Sequence, residues 1–178
     1  MATVAADCVV AHRFATAEAL EYCYIRQVLQ IMRVLVTGTD GYIGAVLAPR
    51  LMREGYEIYG FDTGYYRAGW LFTDPAYLKE TPRSLCGDVR RVTPEMLEGF
   101  DAVVHMAELS NDPLGESNRE VTFDINHQGS LILAKAAKEA GVRRFIYTSS
   151  CSVYGVSEAE VVDETSPVDP QTAYAECK

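Results

Sequence analysis

The sequence predicts an α/β fold, a doubly wound parallel sheet, from three observations. Short apolar runs alternate with helical stretches along the chain, the pattern of parallel strands joined by crossover helices. A glycine-rich turn, Gly38-Thr-Asp-Gly41-Tyr-Ile-Gly44, follows the first such run and opens a helix. A Thr148-Ser149-Ser150 triplet closes the fifth run, at the carboxyl edge where sheets of this kind bind ligands.

Residues 31–37 form an apolar run ending in glycine, as a buried parallel strand does. Residues 42–54 follow as a helix stopped by Gly55, and Pro49 inside it predicts a bend or a later start. Residues 56–61 read as the second strand. The connection 63–83 is long and aromatic-rich, with a short helix near 75–79, and 85–88 reads as the third strand. Thr93-Pro94 starts a short helix, with Thr as cap and Pro in the first turn. Residues 101–106 form the fourth strand. Ser117-x-x-Glu120 reads as a capping box that opens a long helix ending at Gly141, and 142–149 form the fifth strand. The expected strand order is 3-2-1-4-5, the Rossmann arrangement.

Before this domain, residues 1–31 read as an N-terminal extension. Ala17, Leu20, Tyr24, Val28 and Ile31 fall at helical spacing, which predicts an amphipathic helix with no catalytic role. Residues 32–178 carry the domain itself.

Composition narrows the function classes. Sixteen basic against twenty-five acidic residues leave a net charge of −9, which argues against nucleic acid or an anionic membrane as partner. Cys8, Cys23, Cys86, Cys151 and Cys177 are odd in number and contain no CxxC pair, the usage of reduced thiols in a cytoplasmic protein. His12, His105 and His127 lack metal-like spacing, so no metal site is expected. No apolar run approaches the ~20 residues of a membrane span.

The glycine turn allows a sharp reversal, close approach of backbone to a pyrophosphate, and packing of helix on strand; the phosphates then meet the amides of the helix start. Gly38, Asp40, Gly41, Tyr42, Ile43 and Gly44 are therefore candidate cofactor contacts. Asp62 ends the second strand, where a carboxylate accepts from the adenosine ribose hydroxyls and repels a 2′-phosphate, favouring NAD over NADP. Arg67 nearby keeps NADP open. In Gly87-Asp88-Val89, Asp88 is placed to accept from an adenine amino group, with the Val89 backbone beside a ring nitrogen. His105-Met106-Ala107 ends the fourth strand, where small residues leave the cofactor room and His105 reads as packing. Asn126 sits inside a helix, where asparagine is a poor former, and so calls for a specific hydrogen-bonding task near the site, expected as a cofactor contact. Ser149 and Ser150 reach the sheet edge, Ser150 to hold a substrate hydroxyl. Tyr174 and Lys178 stand one helical turn apart, so an ammonium can stabilise a phenolate.

Together these motifs, from Gly38 to Tyr174-x-x-x-Lys178, resemble the extended short-chain dehydrogenase/reductase family, and within it the NAD-dependent epimerase/dehydratase enzymes of nucleotide sugars. The resemblance runs from Met32 to Lys178. It implies Ser150, Tyr174 and Lys178 as the catalytic triad, NAD as cofactor, and a UDP- or dTDP-linked sugar as substrate. It also implies that the sequence holds only the amino-terminal portion of the pattern, truncated before the last strands and the substrate lobe. Such a chain is expected to leave apolar surface that residues 1–31 or a second copy, as a homo-oligomer, would cover. Two departures stand out. Dehydratases of the family carry an acidic pair where this chain has Cys151 and Ser152, which favours epimerisation or simple oxidoreduction. Glu108 occupies a place the family gives to Ala or Gly. With Lys178 at the last position, its α-carboxylate opposes phenolate formation, and a turn so short is expected to fray, leaving the chain weakly active or inactive. A non-catalytic dinucleotide-binding role, or a nucleotide-sugar reductase or dehydratase of the same family, remains the alternative.

Overall fold

A computed structural model describes residues 31–65, 81–110, 112–157 and 160–178. The chain forms two compact units, Met1–Met32 and Arg33–Lys178, and the described residues fall almost wholly in the second. The expected helix of the N-terminal extension, the short helix near 75–79 and Arg67 lie outside the described residues.

Five strands form one sheet: β1 (Arg33–Thr37), β2 (Glu57–Asp62), β3 (Arg83–Cys86), β4 (Ala102–His105) and β5 (Arg144–Tyr147). Their order is β3-β2-β1-β4-β5, as the sequence predicts, and every pairing is parallel. Burial follows composition. Leu35, Val36 and Val103, on the central strands, are essentially inaccessible, and Leu35, Phe61 and Val103 pack against Leu97, Phe100, Leu133, Ala136 and Ala137. Edge strands β3 and β5 are exposed along almost their whole length.

Helix α1 (Gly44–Arg53) begins two residues later than the pattern suggests and keeps Pro49 in its interior, buried with Ala45 and Ala48. The third strand lies two residues earlier than expected, and the fifth is shorter than expected. Gly87 and Asp88 leave the ladder, with the Gly87 amide turned back onto the Asp62 carbonyl (2.9 Å).

The expected single helix before Gly141 is broken. It comprises α2 (Asp112–Ser117), α3 (Arg119–Thr122), a wide π-type turn (Phe123–Gln128) and α4 (Gly129–Glu139). The capping box is not used. Ser117 donates to the Leu114 carbonyl (2.7 Å) at the end of α2. Asn118 caps α3 instead, its Oδ1 accepting from the Val121 amide (3.1 Å). Two helix-favouring patterns overlap here, and the one whose side chain reaches a free amide prevails. Gly141, with φ +75°, ends α4 as expected. Among the described residues, no helix is long and apolar enough to cross a membrane, and no group of three side chains could hold a metal ion.

Parallel register brings the strand ends Thr37, Asp62, His105 and Tyr147 to one edge of the sheet. The candidate site residues gather there.

Candidate active site

A cleft of about 620 Å³ runs along this edge. Its wall includes Gly38, Asp40, Gly41, Tyr42, Ile43, Gly44, Asp62, Asp88, Val89, Met106, Ala107, Ser149, Tyr174 and Lys178, so all the site residues expected from the sequence except Asn126 and Ser150.

At one end the glycine turn is closed by backbone. Gly38 has φ +78°, its amide donates to the Phe61 carbonyl (2.9 Å), and a Cβ there would lie 3.0 Å from the Ala107 nitrogen. A Cβ on Gly44 would lie 2.1 Å from the Gly38 carbonyl oxygen, a distance no side chain tolerates. The start of α1 therefore sits directly on the end of β1, with Tyr42 and Ile43 exposed at the mouth. Backbone amides also aim the Asp62 carboxylate: Oδ2 accepts from Asp40 (3.0 Å) and Oδ1 from Gly64 (2.9 Å). Each oxygen keeps a lone pair for a ligand hydroxyl.

Asp88 is not the open acceptor the sequence suggests. Arg90 grips its carboxylate through Nε (3.0 and 3.1 Å), Nη2 (2.5 Å) and its own backbone amide (3.0 Å). Arg90 Nη1 also bonds Asp124 (2.6 Å). These hydrogen bonds hold the Asp88 carboxyl below its ordinary range. Arg90, itself in the cleft wall, was missed by sequence reasoning, although a charged pair two residues apart after a strand is a usable signal.

Behind the cleft a polar chain crosses the core. Thr37 Oγ1 accepts from the amides of Met106 and Ala107 (both 3.0 Å), so its proton goes to His105 Nδ1 (2.8 Å). His105 must then carry its proton on Nε2, facing Ser130 Oγ (2.8 Å), and the Ser130 hydroxyl donates to the Asn126 carbonyl. Burial, and after it the charge of Lys178, push the His105 imidazole down to about 4, so it is a neutral peg and packs as expected.

Asn126 is fully buried behind the wall, which corrects its expected cofactor contact. Its Oδ1 accepts from the Leu109 amide (2.8 Å) and its Nδ2 donates to the Leu109 carbonyl (3.0 Å). It braces the wall segment at Leu109, with its side chain out of reach of the cleft surface.

Ser150 also departs from expectation. Its Oγ accepts from the Ser152 amide (3.3 Å) and hydroxyl (2.9 Å), capping the short 3-10 turn Cys151–Tyr154. Thr148 and Ser149 face the cleft in its place.

Tyr174 lies on α5 (Ala173–Glu176). The expected fraying of this turn is overturned by contacts distant in sequence. Thr172 Oγ1 accepts from the Ala175 amide (3.2 Å) and donates to Asp112 (2.7 Å). Glu116 accepts from the Ala173 amide (3.0 Å), and Arg119 bridges Glu116 and Glu176 (2.7 and 2.8 Å). Ala173 and Ala175 are buried.

Lys178 Nζ donates to the Thr148 carbonyl (2.5 Å) and stands 5.3 Å from the Tyr174 ring centre. It is also ion-paired with Glu108, the side chains being 3% and 2% exposed. Tyr147 donates to Glu108 Oε1 (2.7 Å). Burial raises the Glu108 carboxyl above the ordinary carboxylate range, against the pull of Lys178 and Tyr147. Burial, then Glu108, push the Tyr147 phenol well up.

Residues 34–178 match the model of the NAD dependent epimerase/dehydratase family. The chain belongs to that family. It is 32% identical to a UDP-glucose 4-epimerase of Streptomyces lividans, covering 82% of this chain and 44% of the relative. It is 34% identical to a dTDP-D-glucose 4,6-dehydratase of Mus musculus, covering 82% and 43%. Among solved structures, a UDP-glucose-4-epimerase from Stenotrophomonas maltophila, with bound NAD and formylated UDP-arabinopyranose, superposes with a TM-score of 0.71 at 28% identity over 83% of this chain and 45% of that one. The chain thus spans less than half the length of the curated relatives it matches.

Proposed function

We propose that the chain supplies the NAD-binding and proton-transfer portion of an enzyme that epimerises a nucleotide sugar through transient oxidation of a carbinol. One observation carries this reading: a single cleft joins a glycine cradle and an amide-aimed aspartate at one end to Tyr174 and Lys178 at the other. The cradle fits a dinucleotide diphosphate, since Gly38 and Gly44 leave no room for a Cβ and keep backbone at the cleft surface. Asp62 would hold the adenosine ribose, and its charge favours NAD over NADP.

Bound in the cleft, NAD supplies the acceptor for the hydride of the carbinol carbon. Tyr174 takes the proton of the sugar hydroxyl. A free phenol titrates near pH 10, so a base working at neutral pH needs help, and the Lys178 ammonium stands where it can give it. Ser149 and the Thr148 segment orient the hydroxyl at the strand end. Cys151 and Ser152 replace the acidic pair that elimination would need, which favours epimerisation over dehydration. The substrate is a UDP- or dTDP-linked sugar.

Calorimetric titration with NAD and NADP, each with and without UDP-glucose or dTDP-glucose, tests the reading. NAD should bind at least about tenfold more tightly than NADP, equivalent to roughly 1.4 kcal/mol. In the chain extended to the length of its relatives, Tyr174→Phe should abolish turnover while NAD affinity is retained. Loss of both together would remove Tyr174 from the proton-transfer role. NAD binding with no response to either sugar would favour the alternative of a non-catalytic dinucleotide-binding portion.

A further inference from the structure

The Glu108–Lys178 pair is almost completely buried in the cleft wall. Glu108 lies on the loop after β4, and Lys178 follows α5. The carboxylate also receives the Tyr147 hydroxyl (2.7 Å), and the ammonium is tied to the Thr148 carbonyl (2.5 Å). The Thr148 carbonyl thus holds one ammonium hydrogen, and Glu108 meets the nitrogen as an ion pair.

We propose that Glu108 is a positioning residue that fixes the Lys178 ammonium in the wall and offsets its charge, so that Tyr174 keeps its proton to higher pH than beside a lone ammonium. The proposal rests on the role given above to Tyr174. An ammonium alone stabilises a nearby phenolate as a full positive charge. With a carboxylate bonded to the same nitrogen, the phenol faces a dipole, whose field falls off faster. Without Glu108, the ammonium keeps its bond to the Thr148 carbonyl and faces the phenol with no counter-charge.

The consequence concerns direction. In oxidation, the hydroxyl proton passes to the phenolate oxygen as the carbinol hydride leaves. In reduction, the phenol returns a proton to the carbonyl oxygen as hydride comes back. A phenol that stays protonated extends the pH range of the reductive half.

The other titratable groups facing the pair do not compete. His105, on β4, is neutral across neutral pH. Tyr147, on β5, is held protonated by burial and Glu108. The Cys177 thiol, at the end of α5, is pushed up by burial. Arg119, Glu116 and Glu176 pair with one another on the exposed side of the turn.

The test uses absorbance of tyrosinate, taken as the difference between each protein and its Tyr174→Phe counterpart. In Glu108→Gln and Glu108→Ala, the Tyr174 signal should rise about one pH unit lower than in the parent. A rise at the same or a higher pH overturns the proposal. Glu108→Ala reads the same quantity if the glutamine variant does not fold. Failure of both to fold, judged by circular dichroism, would make Glu108 purely structural and also overturn it. Sugar turnover does not enter this measurement. Absence of turnover with the shift present would count against the proposed function alone.

Discussion

The two ends of the cleft are built by different means. At the cradle end, the hydrogen bonds lie within residues 38–64, between backbone atoms or from nearby amides to one carboxylate, with the Ala107 backbone packed on Gly38. At the Tyr174 end, the holding contacts join residues 57 and 60 positions apart, through Glu116, Arg119 and Asp112. The first end is local and tolerates no side chain. The second is assembled from distant charged and polar groups and can be tuned one contact at a time.

Gly44→Ala should break the local end most completely. Its Cβ would overlap the Gly38 carbonyl, which no rotamer relieves, so α1 must lift from β1. NAD affinity should fall by at least about 100-fold, with roughly 1–3 kcal/mol of stability lost by overpacking. Isothermal calorimetry and urea unfolding check both. Retained NAD binding would show that the cradle does not depend on this packing.

His105 joins the two ends, and its effect should be read in pH. The ordinary imidazole value is near 6.5, and the folded protein lowers it to about 4. A depressed folded value means that the unfolded chain takes up the proton first. The contribution is therefore present above pH 6.5 and is lost as pH falls through 6.5 toward 4. About 3 kcal/mol is at stake. Urea unfolding between pH 7 and 4 should show this slope, and His105→Gln should lack most of it. An unchanged slope would place the acid sensitivity elsewhere.

The smallest effect tests the distant end. Thr172→Ala removes the cap of α5 and the bond to Asp112, at a cost of about 1 kcal/mol. Hydrogen exchange should speed up at Ala175 and Glu176 and leave the amides of Gly38 and Gly41 unaffected. Equal acceleration at both ends would erase the contrast between them.

What could be read from the residues follows the same division. The strand order, the glycine turn, Asp62 and the Tyr174–Lys178 spacing were legible because each is set by neighbours in sequence or by hydrophobic period. Asn126 was recognised as buried and bonded, but its partner is a loop amide no local pattern names. Asp88 and Ser150 read as free for ligands, yet Arg90 and Ser152, each two residues on, occupy them through backbone amide and side chain. The capping box at Ser117 yielded to Asn118, whose side chain reaches the Val121 amide.

The sequence by itself determined a parallel sheet, its strand order and the edge where the glycine turn meets Asp62, since apolar period and glycine placement act over a few residues. Only the tertiary structure decided that a four-residue turn would stand and that Glu108 would meet Lys178. Burial of a charge is worth its cost only when a partner arrives, and that partner comes from a remote part of the chain.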